Sequence, residues 1–267
     1  MKKDIGRSKI KTILFIISFF KLKLYCKNLP LKITNYSTLI FILLLLSINS
    51  FCQTNVKKDV SNYLDKTIGK EILNINNGKI HIDPYNLKNT NNYYLNKNFV
   101  NGSVFYDNQL YENILVKYDI YKDELVKSFE NNNTFGITLI NEKTDYFLID
   151  DKKFVNIDNK YKYPKAITGF FEEKYLGKNI SLYIKHIKTA KETIIETTLY
   201  TEFKEYNNYQ LLYNSKFTSV NTQKEILAIF PPLKKEIKEF YKKNKIQEET
   251  NPYQFKADLI KFIDNNL

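Results

Sequence analysis

The sequence predicts an α+β protein: an antiparallel β meander, folded as a sandwich or open barrel, followed by three short C-terminal helices. Three observations carry this expectation. Between residues 70 and 220, short alternating segments recur every 8–12 residues, split by Asn, Asp, Gly and Lys turns. No interval between them is long enough for the crossover helices that a parallel sheet requires. After residue 221 the apolar period changes from two to helical.

The elements follow in order. Val56, Val60, Tyr63, Leu64 and Ile68 keep helical spacing, with Gly69 placed as a left-handed cap, so residues 53–69 read as a short helix or flexible lead. Ile72–Ile75 and Lys79–Ile82 flank Asn76-Asn77-Gly78, a strong hairpin signal, and Asp83-Pro84 ends the second run. Residues 84–96 are rich in Asn and Tyr and read as a loop. Val104–Tyr106 turns through Asp107–Gln109 into Ile114–Ile120, and Lys122-Asp123 turns back into Glu124–Phe129. Gly136–Ile140, Tyr146–Ile149 and Phe154–Ile157 come next, the last two separated by Asp150–Lys153. Gly169–Tyr175, Ser181–Ile187, Thr193–Tyr200 and Tyr209–Tyr213 complete the β domain of residues 70–220.

The segment 221–267 reads as helical and packed on the sheet. Thr222-Gln-Lys-Glu225 is a capping-box pattern. Pro231-Pro232 stops the first helix and opens a second, with Leu233, Ile237, Phe240 and Tyr241 on one face and five lysines opposite. Asn251-Pro252 opens the third, whose stripe is Phe255, Leu259, Phe262 and Ile263.

Residues 1–52 read as an N-terminal lead and export signal. The apolar run Leu39–Phe51 is 13 residues long, a helix of about 20 Å against a bilayer core of roughly 30 Å. Small residues near its end place cleavage between Cys52 and Gln53. Phe51 stands where a lipoprotein signal needs a small residue, so acylation of Cys52 is the lesser alternative, as is an uncleaved anchor. A second apolar run, Ile13–Phe20, is shorter still at 8 residues. Leu31 and Ile33 sit where a normal signal would begin, and translation from there would make residues 1–30 no part of the natural product. A peptide from residues 8–30 in the cellular proteome would refute that.

Charge narrows the partners. Residues 1–52 hold nine basic side chains and one acid, a net +8 of the chain's +12, leaving +4 on residues 53–267. Arg7 is the sole arginine, so the exported part lacks the residue best suited to phosphate and guanine. Nucleic-acid binding is not expected, and membrane contact is expected only through the signal segment. The abundance of Lys, Asn, Ile, Tyr and Phe matches AT-rich codons. Both cysteines precede Gln53, so disulfides cannot staple the exported chain.

Candidate chemistry is sparse. His81 and His186 sit at Ile80-His-Ile82 and Lys185-His-Ile187, which predicts half-exposed strand histidines facing away from the adjacent isoleucines. Neither has a partner at ligand spacing, so no metal, cofactor or catalytic residue is assigned. Glu172-Glu173 point to opposite faces of a strand, and Asp150-Asp151 belong to a turn. No Gly-x-Ser-x-Gly and no phosphate-binding glycine loop occurs. The tyrosines around the first meander, Tyr93, Tyr94, Tyr106, Tyr111 and Tyr118, are the candidate binding surface; filling of the sheet is the plainer reading.

Val104–Val126, Ile229–Lys242 and Asp258–Ile263 are similar to stretches of uncharacterised exported proteins from Flavobacterium-like bacteria. The resemblance spans most of residues 95–265, and the Phe51-Cys52-Gln53 ending matches that group's signals. It implies an envelope location (periplasm, outer-membrane surface or secreted) and carries over no functional residue. The expectation is an exported, non-catalytic cell-envelope protein that binds a protein or glycan partner. The alternatives are a secreted hydrolase whose acids Asp119, Asp123 or Glu124 converge on a pocket, and a lipid-anchored surface component.

Overall fold

The structure is a computed structural model that describes residues 74–129, 135–161 and 167–267. The export signal with its Cys52–Gln53 junction, the 53–69 segment and the Asn131–Asn133 turn lie outside the described residues.

Among the described residues, eleven antiparallel strands form one continuous open sheet: β1 Lys79–Ile80, β2 Val100–Tyr106, β3 Gln109–Asp119, β4 Glu124–Ser128, β5 Gly136–Thr138, β6 Thr144–Ile149, β7 Lys152–Asn156, β8 Phe170–Leu176, β9 Ile180–Ile195, β10 Thr198–Tyr213 and β11 Lys216–Ser219. The spatial order is β1-β5-β4-β3-β2-β6-β7-β8-β9-β10-β11. Chain neighbours therefore pair throughout, except where β6 crosses back to β2 and where β1 finds β5. The α+β meander read from the sequence is this sheet, open and single rather than two packed sheets.

Turn chemistry explains the hairpins. Asp107-Asn108, Asp150-Asp151 and Asn214-Ser215 all hold positive φ, between 48° and 64°. That is the mirror-image turn whose twist matches its strands, and short polar side chains tolerate it best. The expected hairpin at Asn76-Asn77-Gly78 does not form. Asn74–Asn76 is a 3-10 turn that buries Ile75, and β1 pairs with β5 through Lys79↔Thr138 and Ile80↔Ile137. Gly78 lies so close to the Thr138 carbonyl that any Cβ would collide with it. A long-range partner displaced the local one.

Both faces of the sheet carry apolar clusters. On one face, β2–β8 gather an aromatic cluster that includes Tyr106, Tyr118, Phe147, Phe154 and Phe170, with Tyr94 contributed by the 84–96 loop. The same face of β8–β10 is covered by helices, through Ile180, Leu182, Ile184 and Leu211. The opposite face holds Val155, Phe171 and Tyr183, against which Tyr161 and Phe217 pack. Alternation along β9 assigns the sides: Ile180, Leu182 and Ile184 point one way, Tyr183 the other.

A one-turn helix, α1 (Ile157–Lys160), follows β7. The C-terminal helices are α2 Gln223–Ile229, α3 Lys234–Lys243, α4 Lys245–Thr250 and α5 Pro252–Asn265. Thr222 caps α2 with a full capping box to Glu225, and Asn251 caps α5 through the Gln254 N–H. A 3-10 turn, Pro231–Leu233, joins α2 to α3, and the six-residue α4 lies between the second and third expected helices. Asp264 of α5 closes the domain by accepting from Tyr175 Oη and from the Lys178 and Asn179 N–H groups, at 2.8–2.9 Å.

Candidate functional site

The β9–β10 hairpin brings the chemically distinctive residues together. Its strands are 16 residues each and pair in unbroken register from Ile180↔Tyr213 to Ile195↔Thr198. The root lies under helices and loops, while Thr189–Ile195 of β9 are all exposed. The hairpin is therefore a buried ladder that continues outward as an arm.

At the root, His186 continues the stripe of Ile180, Leu182 and Ile184, and it is 4% exposed. It sits where the aromatic and helix-covered clusters meet. The Tyr94 ring is 4.9 Å away, Phe154 5.8 Å and Tyr253 of α5 6.4 Å. The expectation of a half-exposed histidine is thereby corrected: the inward face of β9 is roofed by α5 and the 84–96 loop. Apolar residues at i−2, i−4 and i−6 were the sequence signal that could have found it.

His186 Nε2 lies 2.7 Å from Glu172 Oε2 on β8. A carboxylate only accepts, so Nε2 is the donor in this contact. The other Glu172 oxygen accepts from Tyr253 Oη. Burial alone would push the Glu172 carboxyl up, but the hydrogen bonds from His186 and Tyr253 outweigh it and hold it below the usual carboxylate range. Burial and the adjacent Glu172 raise Tyr253, keeping it a donor. Lys152 donates to Tyr94 Oη, and the Lys174 ammonium lies 3.8 Å above the Tyr253 ring.

His186 Nδ1 is buried and has no hydrogen-bond partner. Its cross-strand neighbour is Asn207, whose Oδ1 is likewise buried and unpartnered. One step along the same face, Glu205 pairs with Lys188. Glu205 Oε1 is 4.0 Å from His186 Nδ1, and Oε2 is 3.6 Å from Lys188 Nζ. Lys188 also donates to the Tyr93 carbonyl and to Asn91 Oδ1.

The other sequence candidates take structural places. Tyr93, Tyr94, Tyr106, Tyr111 and Tyr118 are all at most 6% exposed, so they are core residues and not a surface. Tyr94, Tyr106, Tyr111 and Tyr118 join the aromatic cluster, whereas the Tyr93 ring lies against the Lys117 ammonium and His81; their hydroxyls reach polar partners. Tyr93 Oη donates to Asp83, Tyr106 Oη to the Asn77 carbonyl, and Tyr118 Oη to Asp123 at 2.6 Å. His81 faces inward between exposed Ile80 and Ile82, within reach of Thr138 Oγ1 and Tyr93 Oη.

Asp119, Asp123 and Glu124 share the β3–β4 turn, but two of them are committed to holding it. Asp119 accepts from Asn92 and from the Tyr121 and Lys122 N–H groups. Asp123 accepts from Tyr118 and forms an ion pair with Lys185. Gly169, at φ +83°, lies against this pair, and a Cβ there would collide with the Asp123 carboxylate. Glu172 and Glu173 diverge as alternation requires: Glu173 pairs with Lys153 and Lys160.

No family model, curated protein or solved structure matches the chain.

Beyond the root, the arm carries apolar residues to its tip. Ile194 and Leu199 face each other across the hairpin and are 70% and 47% exposed. On the same face below them, Phe203 is buried under Tyr85 and Tyr121 at 5.2 and 5.1 Å. The outer edge of β10 is covered at Thr201 and Phe203 by Asn86, Lys88 and Thr90. The outer edge of β9 is different. β8 pairs with it only up to Ile184, and the Lys188 N–H donates to the Ile120 carbonyl. From Thr189 to Ile195 that edge adjoins no other strand among the described residues.

Proposed function

We propose that this is an exported, non-catalytic cell-envelope protein that binds a protein partner through the β9–β10 arm. The observation that carries the reading is the open edge of β9 at Thr189–Ile195 beside the exposed Ile194–Leu199 pair. An unpaired strand edge presents a row of backbone donors and acceptors, and an extended segment of a partner can add to it as a further strand. The neighbouring apolar pair supplies side-chain contact. A protein partner satisfies both demands at once, whereas a glycan would answer neither the ladder of backbone groups nor the aliphatic tip.

Export rests on the segment 36–53, with its short apolar run and small residues before Gln53. The non-catalytic reading draws support from Asp119 and Asp123, whose oxygens already hold the β3–β4 turn. A hydrolase of the two-carboxylate kind needs a pair free to face substrate.

The test places a photo-crosslinking residue at Ile194 in the full chain, expressed in its native envelope. The expected result is a discrete adduct with one protein, lost when Leu199→Asp is added, while circular dichroism and thermal melting stay unchanged. Absence of adducts from Ile194 and from Glu192 would overturn the binding reading. N-terminal sequencing of the native molecule should begin at Gln53; a cytosolic protein with residues 36–52 intact would overturn export.

A further inference from the structure

We propose that Lys185 and Asp123 react with one another to form an internal amide bond between Nζ and Cγ. The two groups are already in contact: Nζ lies 2.5 Å from Asp123 Oδ2, although the residues are 62 positions apart. They come from β9 and from the turn joining β3 to β4, strands that are not neighbours in the sheet. Their side chains are only 15% and 27% exposed. An ion pair in such a place carries a desolvation cost for both charges, which a neutral amide does not.

The surroundings supply what the condensation requires. Tyr118 Oη donates to Asp123 Oδ1 at 2.6 Å, and the Phe170 N–H donates to Oδ2 at 3.4 Å. The hydroxyl is a fixed donor at the oxygen on which negative charge develops when an amine adds to the carbon. Burial lowers the Lys185 ammonium from its ordinary value, against the pull of Asp123, which eases release of the proton that attack requires. The Phe171 ring lies 5.0 Å from Nζ. Gly169, at φ +83°, leaves room for both groups, since a Cβ there would meet Oδ2 and Nζ together. Asp158, the other acid that acts on Lys185, is held by the Gly169 N–H at 2.8 Å.

The steps balance without a further reactant. The ammonium passes one proton to Oδ2 across the existing contact, leaving a neutral amine beside a carboxylic acid. Nζ adds to Cγ, and the oxyanion forms on Oδ1 against the Tyr118 hydroxyl. A second proton moves from nitrogen to Oδ2, the Cγ–Oδ2 bond breaks, and one water leaves. Holding the reactants together is equivalent to a concentration of about 10⁵ M or more where the geometry is well aligned. The link closes a long loop that runs through β4 to β8, which constrains the unfolded chain as a disulfide would. Residues 53–267 hold no cysteine, so no disulfide can serve there.

The experiment digests the purified full chain with trypsin after denaturation and reads the peptides by mass spectrometry, in parallel with Lys185→Arg. The expected result is a branched peptide joining the Asp123 segment to the Lys185 segment, lighter than its two parts by one water, with no cleavage after Lys185. Lys185→Arg keeps the ion pair but offers no amine nucleophile, so it should yield separate peptides and unfold at a lower temperature. Tyr118→Phe should slow the appearance of the branched peptide after refolding by about a hundredfold. A merely structural hydroxyl would change the melting temperature and leave that rate alone, which would overturn the mechanism. Complete cleavage after Lys185 in the parent, or a branch at Asp158 or at another lysine, would overturn the amide itself.

Discussion

Two clusters share one face of the sheet and are built on different principles. Under β2–β8 the cluster is aromatic: Phe147 stacks on Phe154 at 4.9 Å and 10°, and Tyr118 meets Phe147, Phe154 and Phe170 edge to face. Under α2–α5 it is largely aliphatic, with Ile180, Leu182, Ile184, Leu211, Ile237, Leu259, Ile260 and Ile263 all buried. The aromatic cluster is fastened by hydroxyls at its rim, and the aliphatic one by caps at the ends of its helices. Ring packing and polar anchoring are thus coupled in one region and separate in the other.

Truncation should expose the difference most strongly. Phe154→Ala removes a fully buried ring with three aromatic neighbours and His186 beside it. Equilibrium denaturation should show a loss of about 4 kcal/mol, against about 3 kcal/mol for Leu259→Ala in the aliphatic cluster. Equal losses would mean that ring geometry adds nothing beyond volume.

Next comes the anchoring. Tyr118→Phe keeps the ring and deletes the donor to Asp123, at a cost of about 2 kcal/mol, since an acid in a partly buried turn is left short of a hydrogen bond. Burial and Asp123 push the Tyr118 hydroxyl well above its ordinary range, so it donates at every accessible pH. No measurable loss in Tyr118→Phe would detach polar anchoring from packing.

The rim also titrates. Burial, reinforced by Lys117 and Lys122, lowers His81 from 6.5 to about 4. Between those values the unfolded chain binds a proton that the folded chain refuses, so stability rises with pH across that window. The contribution is whole above pH 6.5 and is lost as pH falls toward about 4, a drop of about 1–2 kcal/mol after allowance for solvent screening. His81→Gln should flatten that part of the melting-temperature profile. Smallest is the cap: Thr222→Ala should cost about 1 kcal/mol by removing the acceptor for the Glu225 N–H, with Thr222→Asn close to neutral.

How far the sequence could be read follows the same division. The caps at Thr222 and Asn251 and the turns at Asp107-Asn108 and Asp150-Asp151 were legible because their causes lie within four residues. The Asn76–Gly78 signal was equally local and misled, since β5 offered β1 a better ladder. The tyrosines of the first meander were legible as sheet residues but not as buried ones: residue type does not say which face is roofed. His186 could have been read from the stripe ending at Ile184, yet Glu172 and Tyr253, 14 and 67 positions away, could not.

Sequence alone determined the α+β class, the helix ends and most strand turns, because period, capping and left-handed turn geometry are short-range effects. Tertiary structure decided the return of β6 to β2, the burial of the tyrosines and the meeting of Glu172, His186, Glu205 and Asn207. Those depend on which strand edges and faces find each other, and that is settled by packing over separations that no local spacing encodes.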